Sequence, residues 1–186
     1  MRRALRRLPW GVLCLPMAIH ASERIDPQHS QANIAVRMRW LQTLDCSLRH
    51  FEGEMETLPD GRQRVNVRLD VRTLDIEGSA SFTRRAQSAE FFDVQRYPWV
   101  VFTSDPFDPA LLREGGVLSG ELFLRGRIGP VQFKVEPSKC PRAGLDCAIE
   151  AAGKVSRREF GMTARPFAVR DKVRIRFAVM LQEAEP

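Results

Sequence analysis

The sequence predicts a mainly β protein, an eight-stranded antiparallel up-and-down β-barrel with one short helical insertion around residues 80–96. Three observations carry that prediction. Apolar and polar residues alternate with period two through eight separate stretches, as in half-buried strands. The alternation breaks over one interval, Ile76 to Gln95. No stretch is blunted as the edge of an open sheet should be, and closing the sheet into a barrel removes the edge. On pattern alone, a two-sheet sandwich is the structural alternative.

In chain order, Ala32, Ile34, Val36, Met38 and Trp40 share one face of the first strand, against Gln31, Asn33, Arg37 and Arg39. Phe51, Gly53, Met55 and Thr57 then oppose Glu52, Glu54 and Glu56, and Pro59-Asp60-Gly61 makes a tight turn. Val65, Val67, Leu69 and Val71 oppose Arg64, Asn66, Arg68 and Asp70. In the insertion, Phe82 to Gln87 suits a helical turn, and a second helix is expected from Ser88 as N-cap, with Glu90 and Asp93 at its positive end. Phe91 and Phe92 must plug something apolar, since burying both is worth roughly 3–6 kcal/mol. Pro98 stops the helix, and the β-rich run Trp99 to Ser104 follows. Leu118, Gly120, Leu122 and Leu124 form the next apolar face, then Val131, Phe133 and Val135 after the turn at Gly126 to Pro130. Ile149, Ala151, Gly153 and Val155 make the seventh. The last and clearest is Val173, Ile175, Phe177, Val179 and Leu181 against Lys172, Arg174 and Arg176.

The start of the chain reads as a signal for export. Arg2, Arg3, Arg6 and Arg7 precede a short apolar run from Leu8 to Ile19, and His20-Ala21 ends it. Cleavage after Ala21 leaves a single domain, 22–186, whose formal charge falls from +6 to 6 − 4 = +2. The remaining arginines are scattered over strands, not gathered into a basic face. That argues against nucleic acid and against strong attachment to an anionic membrane. No apolar run approaches the ~20 residues of a membrane span, so no stable membrane insertion is expected. Export places the product in the periplasm, where Cys140 and Cys147 are expected to form a disulfide and Cys46 to remain the odd thiol.

The inward faces define an expected ligand site. Strands of about ten residues tilted at ~40° give a bore roughly 26 Å tall. Its lining is expected to include Val36, Met38, Trp40, Phe51, Met55, Leu69, Phe102, Leu122, Phe133, Ala151 and Phe177. Gly53, Gly120 and Gly153 are expected to leave room beside them, and a carbon-rich lining favours an elongated apolar guest.

The stretch Ser88-Ala89-Glu90-Phe91-Phe92-Asp93-Val94-Gln95-Arg96-Tyr97-Pro98 and its continuation to Ser104 closely resembles the S-x-[DE]-F-F-D-V-x-x-Y-P-x-[IV]-x-F-x-S segment of the YceI-like family. Asp26-Pro27-Gln28-His29-Ser30, the hairpin Leu122 to Val131 and the turn Ser156 to Met162 resemble further family motifs, in the family's order. Arg125 stands where the family usually has a His, Met38 where many members carry a second His, and the Cys140–Cys147 loop is longer than the common hairpin. The resemblance implies a lipocalin-like barrel that binds isoprenoid or other lipids.

Catalysis finds little support. His29 and His50 are the histidines left after cleavage and are not spaced as a metal or acid–base pair. Cys46 and His50 offer at most a two-ligand metal edge, so no metal site is expected. Asp26 to Ser30 reads as local hydrogen bonding at a strand entry, and Glu52, Glu54 and Glu56 as a solvated face. No nucleophile elbow, P-loop or dinucleotide fingerprint occurs. The expected function is a periplasmic carrier or binding protein for an apolar lipid, isoprenoid-like or quinone-like, working without a cofactor as a monomer or homodimer. The alternative is a filled barrel acting as a ligand-free envelope interaction or stress-response protein.

Overall fold

The computed structural model describes residues 22–39, 42–48 and 50–183. The expected export segment 1–21 and the expected lining residue Trp40 lie outside the described residues.

Among the described residues eleven strands form one antiparallel sheet, three more than expected. The eight expected strands are β2 (Gln31–Arg37), β4 (Phe51–Thr57), β5 (Gln63–Asp70), β7 (Trp99–Ser104), β8 (Gly116–Leu124), β9 (Arg127–Val135), β10 (Ile149–Ser156) and β11 (Lys172–Val179). The additional ones are β1 (Ser22–Arg24), β3 (Thr43–Leu48) and β6 (Leu74–Ile76). β1 and β6 are too short for alternation to show. β3 carries a clear alternation, Leu44, Cys46 and Leu48 against Thr43, Asp45 and Ser47.

The spatial order is β1-β4-β5-β7-β8-β9-β10-β11-β2-β3-β6. From β7 to β11 each strand pairs with the next, the up-and-down pattern expected, and β11 then returns to β2. The sheet curls until its first strand meets the chain beyond its eighth. Arg24 and Ile25 pair with β4 on one side, where the Ile25 N–H donates to the Gly53 carbonyl at 2.9 Å. On the other side the Asp26 N–H donates to Met180 O, and the Gln182 N–H to Arg24 O, both at 2.8 Å. This stitching makes the fold barrel-like. The Asp26–Ser30 corner is held as the sequence suggested: Asp26 accepts from the Gln28 N–H at 2.8 Å, and Ser30 Oγ accepts from the Met180 N–H at 2.9 Å.

Helix placement departs from expectation. α1 spans Ala80–Gln87, capped by Ser79, whose Oγ accepts from the Phe82 N–H at 3.3 Å. Ser88, expected to begin a helix, instead ends this one. The chain then winds through turns: the Phe91 and Asp93 N–H groups both donate to Ser88 O, and Asp93 adopts φ 51°. A left-handed residue there stops any continuing helix. A second short helix, α2 (Ala110–Glu114), lies in the connection between β7 and β8.

The core is the inside of the curled sheet. Ile34, Leu48, Phe51, Leu69, Phe102, Leu122, Phe133 and Val155 are all buried within it. Removing each such side chain from water is worth roughly 1.5–3 kcal/mol, and this burial is what closes the sheet.

Candidate functional site

The inside of the barrel is two compartments, not one bore. Phe102 of β7, Phe133 of β9 and Phe177 of β11 meet edge to face, with ring centroids 5.2 Å and 5.3 Å apart, and Phe51 stacks on Phe177 at 6.2 Å. Edge-to-face packing matches the positive rim of one ring to the negative face of the next. Phe102, Phe133 and Phe177 line both compartments and so form a floor between them. On one side is a cavity of about 250 Å³ and on the other a residual space of about 70 Å³. The full-length bore expected from the sequence is therefore stopped by an aromatic partition.

This partition sorts the expected lining residues. Val36, Met38, Leu69 and Leu122 line the larger cavity. Phe51, Met55 and Ala151 line the smaller space, beyond the floor. Trp40 lies outside the described residues. The expected spare room beside small inward residues is absent. A Cβ built on Gly120 would lie 2.4 Å from Thr103 O, and one on Gly153 would lie 2.6 Å from the Phe133 ring. These glycines admit a neighbouring strand or the floor itself, and leave no space for a guest.

Several residues of the larger cavity were not anticipated. Leu44, Cys46 and Leu48 reach it from β3, Leu74 and Ile76 from β6, and Phe82 and Ala86 from α1. Phe91 and Phe92 do turn inward as expected, but they are half-buried and line the cavity instead of filling it. The cavity interior is almost wholly carbon and sulfur. Burial pushes the Cys46 thiol up to about 12, helped by the charges of Asp45 and Asp75, so it remains a neutral apolar lining group.

The rim is built from three segments, and arginines tie them together. The β8–β9 turn is a two-residue hairpin, with Arg125 at φ 51° and Gly126 at φ 72°. Arg125 donates to Ala89 O at 2.6 Å on the segment after α1, and also to Gly161 O on the loop after β10. Arg165 Nε donates to Glu90 Oε2 at 3.0 Å, joining the same two segments. Arg157 holds the β10–β11 loop from within. Its side chain is 2% exposed and donates to the carbonyls of Met162, Ala164 (2.8 Å), Val169 (3.0 Å) and Arg170 (3.2 Å). Burial lowers its pKa from the ordinary guanidinium value, against the opposing pull of Asp171. Arg85 and Arg165, both exposed, stand where the cavity meets solvent.

At the far end, Cys140 and Cys147 form the expected disulfide, with Cα atoms 6.1 Å apart, and Cys46 is free. Among the described residues no group of three or more His, Cys, Asp or Glu side chains could hold a metal ion, and no helix is long and apolar enough to cross a membrane.

Comparison with known proteins agrees with this architecture. Residues 24–181 match the model of the YceI-like domain. A UPF0312 protein of Photorhabdus laumondii is 27% identical over 175 residues, covering 88% of each chain. Protein YceI of Salmonella arizonae is 28% identical over 156 residues, covering 78% of each. Among solved structures, BcnA of Burkholderia cenocepacia aligns with a TM-score of 0.69 at 18% identity, over 83% of this chain and 98% of that one. A polyisoprenoid binding domain from Saccharophagus degradans, implicated in plant cell wall breakdown, aligns with a TM-score of 0.66 at 15% identity, over 88% of this chain and 99% of that one. The structural likenesses establish a shared fold, and the match to the family model, spanning most of the sequence, establishes kinship: the chain belongs to the YceI-like domain family.

Proposed function

We propose that the protein binds an apolar lipid of isoprenoid type in the larger cavity and carries or sequesters it. The observation that carries this reading is the cavity itself, about 250 Å³ with an apolar lining and a rim that reaches solvent at Arg85 and Arg165. A cavity of ~150 Å³ already accommodates a benzene ring, so this one takes a ring with a short branched chain without rearrangement. Each methylene withdrawn from water contributes roughly 0.8 kcal/mol. An acceptor-rich head, such as a quinone carbonyl or a hydroxyl, would remain at the rim near Arg85 and Arg165. A longer chain requires Phe91 and Phe92 to move outward, because the aromatic floor closes the other direction. The polyisoprenoid binding shown in the name of the Saccharophagus degradans neighbour supports the choice of ligand class. The proposed setting is the periplasm, reached through the export signal read from residues 1–21.

Organic extraction of the natively purified protein, followed by mass spectrometry, tests this. The reading expects about one isoprenoid-like molecule per chain. An empty extract, together with failure of the protein to bind an added isoprenoid quinone, would support the ligand-free alternative instead.

A further inference from the structure

The outer surface of the barrel carries two contrasting faces. On the β4–β5 face charges are paired across the ladder: Glu52 opposite Arg68 and Glu56 opposite Arg64, at 3.5 Å and 3.2 Å. On the face made by β2, β10 and β11 they are not. Arg37, Arg39, Lys154, Arg158, Arg170, Lys172 and Arg174 line a single groove of about 890 Å³ there, and all seven are exposed. They come from three distant parts of the sequence. Strand pairing gathers them: Lys154 lies directly opposite Arg174, Arg174 opposite Ala35, and the Arg170 N–H donates to Arg37 O at 3.0 Å. The expectation that the arginines are scattered does not survive folding.

Like charges opposite one another on a ladder repel, so this face is destabilising unless something anionic covers it. Among the described residues Asp171 is the one acid lining the groove, and it is already engaged, accepting from Ser156 Oγ at 2.8 Å and from the Arg158 N–H at 3.2 Å. Arg158 lies 3.9 Å from the same carboxylate. Among the described residues the other six cations have no ion-pair partner within 4.0 Å. Asp45, opposite Ala35 on β3, is the nearest acid on the adjoining strand.

A second feature adjoins the groove. Phe167 is 84% exposed, the most exposed large apolar side chain among the described residues. It sits on a tight turn in which the Ala168 and Val169 N–H groups both donate to Arg165 O at 3.0 Å, with Arg165 at φ 52°. The same turn touches both sites. Pro166 and Val169 line the groove, and Arg165, Ala168 and Val169 line the cavity rim. Basic groove, protruding ring and cavity mouth are therefore contiguous.

We propose that this face docks the protein on an anionic lipid surface, with Phe167 entering the head-group layer and the cavity mouth turned toward the bilayer. Lysines and arginines near an anionic leaflet are attracted additively, and aromatic rings settle at the head-group level. A single-stranded nucleic acid would stack its bases on rings spaced along the groove, and among the described residues the groove lining contains no aromatic side chain. The proposal goes beyond the cargo reading, since docking does not depend on whether the cavity is filled.

The test uses the gene product as the cell processes it, floated with vesicles of phosphatidylcholine alone or of equal parts phosphatidylcholine and phosphatidylglycerol. Binding is expected to the second and not the first, and to weaken as salt is raised. Lys154→Gln with Arg174→Gln should weaken it about 20-fold, and Phe167→Ala about tenfold. Arg174→Lys should retain binding, and Arg113→Gln on α2 should leave it unchanged. Each variant's melting temperature controls for folding. The proposal is overturned if the parent ignores phosphatidylglycerol at low salt, or if the folded double variant binds like the parent. It is equally overturned if Phe167→Ala loses nothing while heparin or a single-stranded oligonucleotide binds as tightly as the vesicles, which would assign the groove to a soluble polyanion.

Discussion

Arg165 and Glu90, 75 residues apart in sequence, meet at 3.0 Å across the cavity mouth, one on the loop after β10 and the other on the segment after α1. Both are about half exposed, so the pair adds little to global stability. Its effect is local, as a clasp between two rim segments. Hydrogen bonding to Arg165 lowers the Glu90 pKa below the ordinary glutamate value. A depressed carboxylate pKa means the clasp is fully present above that ordinary value and is lost as pH falls through the lowered one. Entry and release of an apolar fluorescent probe should therefore accelerate in that acidic window, and Glu90→Gln should bring the faster rates to neutral pH. Identical rates for parent and variant at neutral pH would show that the rim opens elsewhere.

Phe91→Ala and Phe92→Ala should each cost about 1–2 kcal/mol, below the 3–5 typical of a fully buried ring, because both rings are half-buried at the cavity wall. Thermal or denaturant melting checks the cost. Probe exchange should also quicken, since the wall is thinned.

Gly120→Ala is expected to be more damaging than its size suggests. The new Cβ would lie 2.4 Å from a carbonyl of β7, so the β7–β8 ladder must shift, at about 3 kcal/mol, the upper range for overpacking. A variant that melts like the parent would mean the two strands can separate freely.

The thiols offer a chemical check. In the unreduced protein Cys140 and Cys147 should not react, and Cys46, buried and with its pKa pushed up to about 12, should react with an aqueous disulfide reagent only after denaturation. Fast reaction of Cys46 in the native protein would mean that water reaches the cavity wall. Reducing the Cys140–Cys147 bond should cost about 2–3 kcal/mol on the loop-entropy estimate.

Arg157→Met should destabilise the β10–β11 loop, because four carbonyls lose their donor in a buried place. Hydrogen exchange of the amides at 162–170 should rise more than elsewhere. Uniform change over the whole barrel would contradict a local role.

Much of this was legible in the sequence, because a strand with one buried face must alternate. The residues that line the inside of β2, β8 and β11 follow directly from that rule. β3 obeys it too, with Leu44, Cys46 and Leu48 on its inner face, although the sequence reading does not include it. The helix expected from Ser88 does not form because Asp93 adopts a left-handed conformation, φ 51°, which local pattern does not reveal. What alternation cannot give is which inward residues meet across the barrel. The Phe102–Phe133–Phe177 floor depends on register among strands far apart in sequence, as does the meeting of Arg37 with Arg170 outside. Local pattern fixes faces, and long-range pairing fixes sites.

The most direct test of the central claim is where a bound isoprenoid lies. A photoactivatable isoprenoid, cross-linked in the purified protein and mapped by peptide mass spectrometry, should label the cavity on the mouth side of the aromatic floor. The expected peptides carry Val36, Leu44, Phe91, Phe92 and Leu124. Labels confined to Met55 and Ala151 beyond the floor, or spread over the outer surface without competition from unlabelled isoprenoid, would contradict a ligand held in this cavity.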